Sequence, residues 1–204
     1  MIYLLRHGEI TRGDKRCFIG QADLPLNEKG LHQACLWQQK LKGRLFEKIY
    51  SSDLNRACQT ALIIADHHRG KVELLPGLRE INLGEWEGLS ITEVQARFPA
   101  EWQRRQMDLV TFRPPGGESF QDLAARIEPI FNRIVRGQEG DAVIVAHAGV
   151  NRVILCQVLG MDLANLFRLG QDYGCLTLLE PNRDGCRLVA MNIPADQSWI
   201  GLRQ

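Results

Sequence analysis

The stretch MIYLLRHGEI, residues 1–10, opens with an apolar run that stops abruptly at polar residues. The apolar residues 2–5 are too few for a helix and are typical of a short buried strand. The run ends at Arg6 and His7, which are followed by Gly8. We therefore predict that the first strand of a sheet delivers an arginine and a histidine, side by side, at its carboxyl end.

Strand-like and helix-like segments alternate along the rest of the chain. Short segments rich in Val, Ile and Leu predict strands, and apolar residues three or four positions apart predict helices. The predicted strands are 2–6, 48–52, 72–75 and 141–147, the predicted helices are 28–42, 54–68, 118–136 and 150–159, and 175–180 with 186–193 should form a hairpin. This alternation indicates an α/β fold, a three-layer α/β/α sandwich with a largely parallel central sheet.

The composition is that of an ordinary globular domain. Of the 204 residues, 45% are hydrophobic and 24% are charged, which suits one substantial core. We expect a single domain over 1–204, with 85–117 as a lid or insertion, because this Trp-, Arg- and Pro-rich stretch fits the alternation least well. A formal net charge of +1 and the lack of a basic stripe argue against nucleic-acid binding.

The sequence shows no feature typical of a membrane or secreted protein. The first apolar run is too short for a signal peptide, and no stretch approaches the roughly 20 apolar residues that span a bilayer. The six cysteines are scattered without a C-x-x-C pair, so reduced thiols are expected rather than a disulfide framework or a metal site. We therefore expect a cytoplasmic protein with no metal, no cofactor and no membrane partner.

Polar residues gather where the predicted strands end, which is the edge at which open α/β sheets bind ligands. Four separate strand ends contribute to this group. The residues are Arg6, His7, Asp53, Arg56, Arg79, Glu80 and His147. Two histidines, two or three arginines and a glutamate are thus predicted to share one rim of the sheet, with Asp53 as a turn or capping residue.

This set of side chains suits phosphoryl transfer. Two arginines can hold a phosphoryl group bidentately, and the backbone N–H groups of Ala148 and Gly149, at a helix start, also favour an anion. One neutral imidazole could attack phosphorus to form a phosphohistidine, while a second, positively charged one stabilises the equatorial oxygens. Glu80 could protonate the leaving alkoxide and then take a proton from water. The sequence has no cluster of carboxylates that could bind two magnesium ions. The arginines would therefore stabilise the negative charge that a metal ion stabilises in other enzymes.

The motifs around these residues resemble those of the histidine phosphatase superfamily, the relatives of cofactor-dependent phosphoglycerate mutase. In chain order they are LLRHGEI (4–10), FIGQADLPLNEKG (18–30), SSDLNRACQTA (51–61), LREINLGEWEG (78–88), PPGGESFQDLAARI (114–127) and VIVAHAGVNRVI (143–154). The resemblance covers about residues 1–160 in the expected order. It implies a phosphoglycerate mutase-like fold.

The resemblance also implies a role for each candidate residue. His7 takes the place of the phosphorylated nucleophile, and Arg6 and Arg56 those of the phosphate ligands. His147 takes the place of the histidine that stabilises the transition state. Glu80 takes the place of the acid and base.

Two assignments leave alternatives open. Glu9, Glu85 and Glu87 lie near enough in sequence to compete for the role of the acid. The family often has an asparagine that contacts phosphate six residues after the nucleophile, and Gly13 stands there. Either a lysine or an arginine of the loop 10–17 replaces that contact, or the contact is absent.

Three functions remain possible at this point. The short span between the glutamate motif and the PPGGES stretch, and the short tail after the last strand, favour a phosphatase of a small phosphorylated metabolite over a mutase. Within the phosphatases, the motifs look most like those of the α-ribazole phosphatase branch. A cofactor-dependent phosphoglycerate mutase and a non-catalytic module that binds phosphorylated ligands are the alternatives. The closing hairpin offers an edge that could pair in a homodimer.

Overall fold

The structure, a computed structural model, describes residues 1–11, 17–66, 68, 71–137, 139–183 and 185–197. The strands in these residues are β1 (Ile2–Arg6), β2 (Phe46–Ser51), β3 (Val72–Leu74), β4 (Asp141–Ala146), β5 (Leu176–Asn182) and β6 (Gly185–Ile193). The α-helices are α1 (Glu28–Lys40), α2 (Asn55–Ala65), α3 (Ile91–Arg97), α4 (Pro99–Met107), α5 (Phe120–Arg136) and α6 (Ala148–Leu159). Short 3-10 helices cover Pro76–Leu78, Gly84–Trp86 and Leu163–Arg168. None of the helices in the described ranges is both long and apolar enough to cross a bilayer.

The strands form one six-stranded sheet in the order β3-β2-β4-β1-β5-β6. The four strands from β3 to β1 are parallel to one another, and β5 and β6 are antiparallel additions at one side. The predicted α/β sandwich with a largely parallel sheet is therefore confirmed, and so is the hairpin at its end. Parallel strands need crossover helices, which cover both faces of the sheet.

Side chains of successive strand residues point to opposite faces, so each strand serves two cores. On β1, Ile2 and Leu4 face the core built with α5 and α6. Tyr3 and Leu5 face the core built with α1 and α2, where Trp37 is fully buried. This arrangement makes β1 a central strand whose end is held in position from both sides.

Two helices begin directly at the candidate site or beside it. α6 starts at Ala148, with His147 at its N-cap position in extended conformation, two residues earlier than its predicted start. α5 starts after Ser119, whose side chain accepts a hydrogen bond from the Asp122 N–H while Asp122 reaches back to the Ser119 N–H. Such a capping box satisfies two N–H groups that a helix start leaves without partners. The sequence therefore sets where α5 begins.

Residues 84–117 contribute α3, α4 and the 3-10 turn Gly84–Trp86. They have a small core of their own, in which Trp86, Val94 and Phe112 are buried against Phe18 and Trp102. Hydrogen bonds from Phe18 N–H to Leu89 O (2.9 Å) and from Gly88 N–H to Phe18 O (2.8 Å) tie this segment to the residues that follow β1. Movement of the segment as a lid stays a prediction.

Candidate active site

Two histidines from distant parts of the chain meet at the edge of the sheet. β1 and β4 are parallel neighbours in which Arg6 is paired with Ala146, so the next residue of each strand lies at the same level. These residues are His7 and His147, whose ring centroids are 5.1 Å apart with planes inclined by 59°. The structure thus brings both predicted histidines into one site.

The tautomer of His7 follows from its hydrogen bond. Its Nδ1 atom lies 2.7 Å from the carbonyl oxygen of Gly8. A carbonyl can only accept, so Nδ1 carries the hydrogen and the lone pair is on Nε2. The ring is buried, with 3% of the residue exposed, which fixes its orientation. His7 therefore presents Nε2 as its nucleophilic nitrogen.

The guanidinium of Arg6 lies over an aromatic ring that the sequence did not indicate. The Cζ atom of Arg6 is 3.6 Å from the ring centroid of Tyr173, and Nη1 donates to the Gln171 carbonyl at 2.6 Å. The same Tyr173 ring is 5.4 Å from that of His7. Trp37 Nε1 donates to the Gly174 carbonyl at 2.5 Å and so anchors this loop to α1. Tyr173 therefore orients both side chains of the β1 end.

Arg56 is the most deeply buried arginine of the site, with 1% of the residue exposed. Its Nη1 donates to Ala22 O at 2.6 Å and its Nη2 to Gly20 O at 2.7 Å. Burial is the main reason why its pKa is lowered from the ordinary arginine value. A guanidinium has five N–H donors. The two carbonyl bonds use two of them and leave the others available to an anion.

His147 is fully buried, and neither ring nitrogen has a hydrogen-bond partner among the described residues. Burial lowers its pKa well below the usual histidine value, and the neighbouring His7, Arg56 and Arg6 lower it further. The surroundings that the protein itself supplies thus favour the neutral imidazole, and the positive charge predicted beside a bound phosphate stays a prediction. A phosphate dianion bound beside it would reverse the sign of the local field and raise that pKa.

Glu80 presents its carboxylate beside the start of α6. Oε1 accepts a hydrogen bond from the Ile81 N–H and Oε2 one from the Gly149 N–H, both at 3.0 Å. The helix-start amide that was expected to bind phosphate thus donates to Glu80 in this structure. A Cβ atom at Gly149 would lie 2.4 Å from Glu80 Oε1, so only glycine lets the carboxylate come this close. Ala148 lies beside the same carboxylate, on the wall of a neighbouring cavity.

Arg126 of α5 holds the segment that carries Glu80. Its Nη1 donates to the carbonyls of Gly77 at 2.7 Å and Arg79 at 3.0 Å. Its Nε and Nη2 form a bidentate pair with Glu118, at 2.9 and 2.8 Å. Glu118 in turn accepts from the Asn82 N–H at 2.9 Å. The backbone on both sides of Glu80 is therefore fixed by one arginine–glutamate pair.

Arg6, His7, Arg56 and Glu80 line a cavity of about 180 Å³, which we call the phosphate cavity, whereas His147 lies beside His7 but is not among the wall residues of this cavity. Its polar wall consists of Arg6, His7, Arg56, Glu80 and Tyr173, and the rest consists of Ile10, Cys17, Phe18, Ile19, Gly20, Ile81 and Leu83. A water molecule takes about 30 Å³ in the liquid, so a phosphoryl group fits this space. Two guanidinium groups, an imidazole and a carboxyl group converge on it.

Several predicted contributors lie elsewhere. Arg79 pairs with Asp53 through two hydrogen bonds of 2.7 and 2.6 Å and does not line the phosphate cavity. Asp53 binds this arginine rather than capping a helix, since the N-cap position of α2 is Leu54. A Cβ atom at Gly8 would lie 2.5 Å from the Gly30 carbonyl oxygen. Gly8 therefore allows α1 to approach the end of β1.

Two further predictions concern the loop and metal binding. Gly13 and the basic residues of loop 10–17, Lys15 and Arg16, lie outside the described residues. In the part of the chain that the structure describes, no three His, Cys, Asp or Glu side chains are grouped so that they could hold a metal ion.

Tyr173, Gln171 and Arg126 are site residues that sequence reasoning missed. Tyr173 and Gln171 lie in a loop that follows no parallel strand. The expectation that site residues lie at the carboxyl ends of parallel strands therefore could not identify them. Arg126 lies within the PPGGESFQDLAARI motif together with Glu118. Glu118 and Arg126 are eight residues apart in the sequence. This spacing alone does not predict their ion pair, which forms because of the position of α5.

Two relatives with similar sequences illustrate the kinds of protein that this chain resembles. A bifunctional protein of Mycobacterium tuberculosis is 33% identical over 193 residues, which are 93% of this chain and 52% of that protein. This chain thus spans about half of that relative's length. A glucosyl-3-phosphoglycerate phosphatase of Mycolicibacterium vanbaalenii is 32% identical over 83% of this chain and 78% of its own.

A solved structure shows the same fold. The alpha-ribazole phosphatase of Shigella flexneri superimposes with a TM-score of 0.87 at 26% identity, over 94% of this chain and 95% of that one. The family model of the histidine phosphatase superfamily (branch 1) matches residues 2–194. With both histidines at adjoining strand ends and the family model matching nearly the whole chain, the protein belongs to the histidine phosphatase superfamily, branch 1.

Proposed function

We propose that the protein is a metal-independent phosphomonoesterase that works through a phosphohistidine at His7 on a small phosphorylated metabolite. The observation that carries this proposal is the meeting of two imidazoles, 5.1 Å apart, in a site that also presents two arginines and a glutamate. Membership of the histidine phosphatase superfamily supports the reaction class. The names of the relatives, which are phosphatases of different metabolites, support hydrolysis but differ in substrate.

In the first half-reaction, Arg6 and Arg56 hold the phosphoryl oxygens with the donors that their carbonyl bonds leave over. His7 Nε2 forms a bond to phosphorus while the bond from phosphorus to the ester oxygen breaks. The leaving oxygen takes a proton from the Glu80 carboxyl group. His147 takes up a proton from solvent when the phosphate dianion binds, because the dianion raises its pKa, and the resulting imidazolium stabilises the equatorial oxygens; the proton returns to solvent when inorganic phosphate leaves.

In the second half-reaction, water enters where the alcohol has left. Glu80, now a carboxylate, takes a proton from the water as its oxygen binds phosphorus, and the bond from Nε2 to phosphorus breaks. Inorganic phosphate leaves, and both His7 and Glu80 return to their starting states. Each carboxylate oxygen accepts only one backbone N–H in the structure, so a second lone-pair site remains on each to carry the proton.

The first substrate to test is α-ribazole 5′-phosphate. The motifs resemble those of that branch, and the Shigella flexneri phosphatase of that name superimposes over nearly the whole chain. The outcome of a substrate panel also separates the alternatives. Conversion of 3-phosphoglycerate in the presence of 2,3-bisphosphoglycerate, without phosphate release, would indicate a mutase. Tight binding of phosphorylated ligands without any turnover would indicate a binding module.

The decisive experiment combines turnover with detection of the intermediate. We expect hydrolysis of 4-nitrophenyl phosphate that persists in EDTA, and an acid-labile phosphoryl label on the protein. His7→Ala should abolish both, whereas His32→Ala, at an exposed histidine of α1, should keep both. Turnover that requires an added metal would contradict the proposal, and a label that survives His7→Ala would move the nucleophile to another residue.

A further inference from the structure

A second cavity, of about 190 Å³, lies next to the phosphate cavity. The two cavities share four wall residues, Phe18, Glu80, Ile81 and Leu83. Glu80 is the only ionisable residue among the four, and the proposed function gives it the proton for the leaving oxygen. A substrate with its phosphorus at His7 and its ester oxygen at Glu80 therefore directs the rest of its alcohol into the second cavity, which we call the alcohol cavity.

The walls of the alcohol cavity are mostly apolar. Beyond the shared residues they include Leu109, Phe112, Pro114, Phe120 and Phe167. The Phe120 and Phe167 rings meet edge to face, with centroids 5.6 Å apart. Apolar and aromatic walls stabilise a ligand by removing its own apolar surface from water. A highly hydroxylated alcohol would lose hydrogen bonds to water here without replacing them.

Two arginines interrupt this apolar wall. Arg105 comes from α4 and Arg152 from α6, and their Cζ atoms lie 6.0 and 5.3 Å from the centroid of the Phe167 ring. Arg152 Nε donates to the Leu169 carbonyl at 3.0 Å. Two helices distant in sequence thus bring two guanidinium groups to the same aromatic ring and the same cavity.

Neither Arg105 nor Arg152 forms an ion pair among the described residues, although the charges of Glu80 and Asp172 offset part of the effect of burial on the pKa of Arg152. Glu118, the other carboxylate of this wall, is already engaged by Arg126. Burial lowers the pKa of both Arg105 and Arg152 below the ordinary arginine value, which reflects the cost of keeping a charge away from water. An anion from the substrate would offset that cost.

On the basis of the proposed function, we infer that the natural substrate is a phosphomonoester whose alcohol has an apolar body and a second anionic group, such as a carboxylate, bound between Arg105 and Arg152. This inference replaces α-ribazole 5′-phosphate as the expected natural substrate, because the alcohol of that ester carries no second anionic group. The apolar body lies against the phenylalanine walls. The anion replaces the water that two half-buried cations otherwise retain. Arg105 and Arg152 are therefore specificity-determining residues, and they do not take part in the chemistry at phosphorus.

Two phosphate esters of matched shape test this inference. One is 4-(carboxymethyl)phenyl phosphate and the other is 4-(carbamoylmethyl)phenyl phosphate, whose amide has the same outline without the charge. We expect the protein to favour the carboxylated ester by at least about tenfold in kcat/KM, the size of a charge-assisted contact. Arg105→Met should bring this ratio close to one, and the Arg105→Met/Arg152→Met double variant should do so fully.

Arg104→Met is the matched control, because Arg104 is the exposed neighbour of Arg105 on α4, and it should keep the ratio of the native protein. A ratio near one in the native protein, or a ratio that Arg105→Met leaves unchanged, would overturn the inference. If Arg152→Met does not fold, the single Arg105→Met variant decides alone. Failure to hydrolyse either ester would instead overturn the proposed function on which the inference rests.

Discussion

The phosphate cavity and the alcohol cavity share a wall but are built in different ways. The phosphate cavity takes its charged groups from the end of β1, from the start of α2 and from Glu80, which follows the 3-10 helix Pro76–Leu78, and its arginines are held by backbone carbonyls. The alcohol cavity takes its walls from α4, from residues 109–120 and from the 3-10 helix Leu163–Arg168. The comparison indicates that the sheet fixes the reaction while the connecting segments fix the choice of substrate. The following changes affect the wall that the two cavities share, the residues that support it, or one cavity alone.

The largest effect is expected from Glu80→Gln, at the wall common to both cavities. Loss of the proton donor should lower kcat for alkyl phosphates by ~10²–10⁴-fold. 4-Nitrophenyl phosphate should suffer much less, because its leaving group departs without a proton. Steady-state kinetics on both esters measures the difference, with Glu85→Gln, at a neighbouring exposed glutamate, as the control. An equal loss on both esters would mean that Glu80 is not the acid.

A smaller effect is expected from Arg126→Met, which removes the support of Glu80 without touching phosphorus. Misplacement of the carboxyl group should lower kcat by about 10–100-fold on alkyl phosphates while KM changes little. Arg113→Met is the matched control, since Arg113 forms a surface pair with Asp122 in which its side chain is 65% exposed. Kinetics at 25 °C and thermal unfolding should be measured on both variants. A fall in Tm without a fall in kcat would show that Arg126 only stabilises the fold.

The buried imidazole of His147 should make stability depend on pH. Its pKa in the folded protein is well below the ordinary value, so between that value and ~6.5 only the unfolded chain takes up the proton. The free energy of unfolding should therefore fall by up to about 1.4 kcal/mol for each pH unit below ~6.5, and show no such dependence above pH 7.

Urea unfolding of the native protein and of His147→Gln between pH 5 and 7.5 measures this slope. His147→Gln should reduce the slope by up to about 1.4 kcal/mol per pH unit, the contribution of one proton. His32→Gln should leave the slope unchanged. A slope that survives His147→Gln would assign the proton to another group.

The smallest effect is expected from Phe167→Leu, in the alcohol cavity alone. Phe167 is 51% exposed, so stability should change little, but the ring that Arg105 and Arg152 share is lost. The preference for the carboxylated ester should fall about three- to fivefold, in line with the ~0.5–1 kcal/mol of an exposed cation–π contact. Inhibition by inorganic phosphate should not change. Weaker phosphate inhibition would mean that the two cavities are not independent.

The sequence predicts the phosphate cavity better than the alcohol cavity, and the reason is physical. Arg6, His7 and Glu80 of the phosphate cavity, and His147 beside it, follow apolar runs, and parallel strands bring such ends together, so the sequence could predict that these four residues lie near one another. Arg79 follows the same pattern, but Asp53 binds it instead. No local pattern could reveal this contact, because it joins residues that are distant in sequence.

The helices show the same limit. The boundaries of α1 and α5 were predicted to within two residues, since caps and apolar spacing are local signals. Which apolar residues of α1 face the core depends on contacts that are not local. Leu31 is 41% exposed, while Trp37 is fully buried because its indole N–H reaches the Gly174 carbonyl. Arg105 and Arg152 looked like ordinary helix arginines in the sequence, and only the packing of α4 and α6 around Phe167 brings them together.

The position of Glu80, between the two cavities, has a consequence for the order of events. A departing alcohol that carries its proton away still occupies the space from which water must approach the same carboxylate. Hydrolysis then has to wait until the first product has diffused out, and any other alcohol that fits the vacant space competes with water for the phosphoryl group. Transfer to added aromatic alcohols should therefore accompany hydrolysis, in proportion to how well each acceptor fills that space.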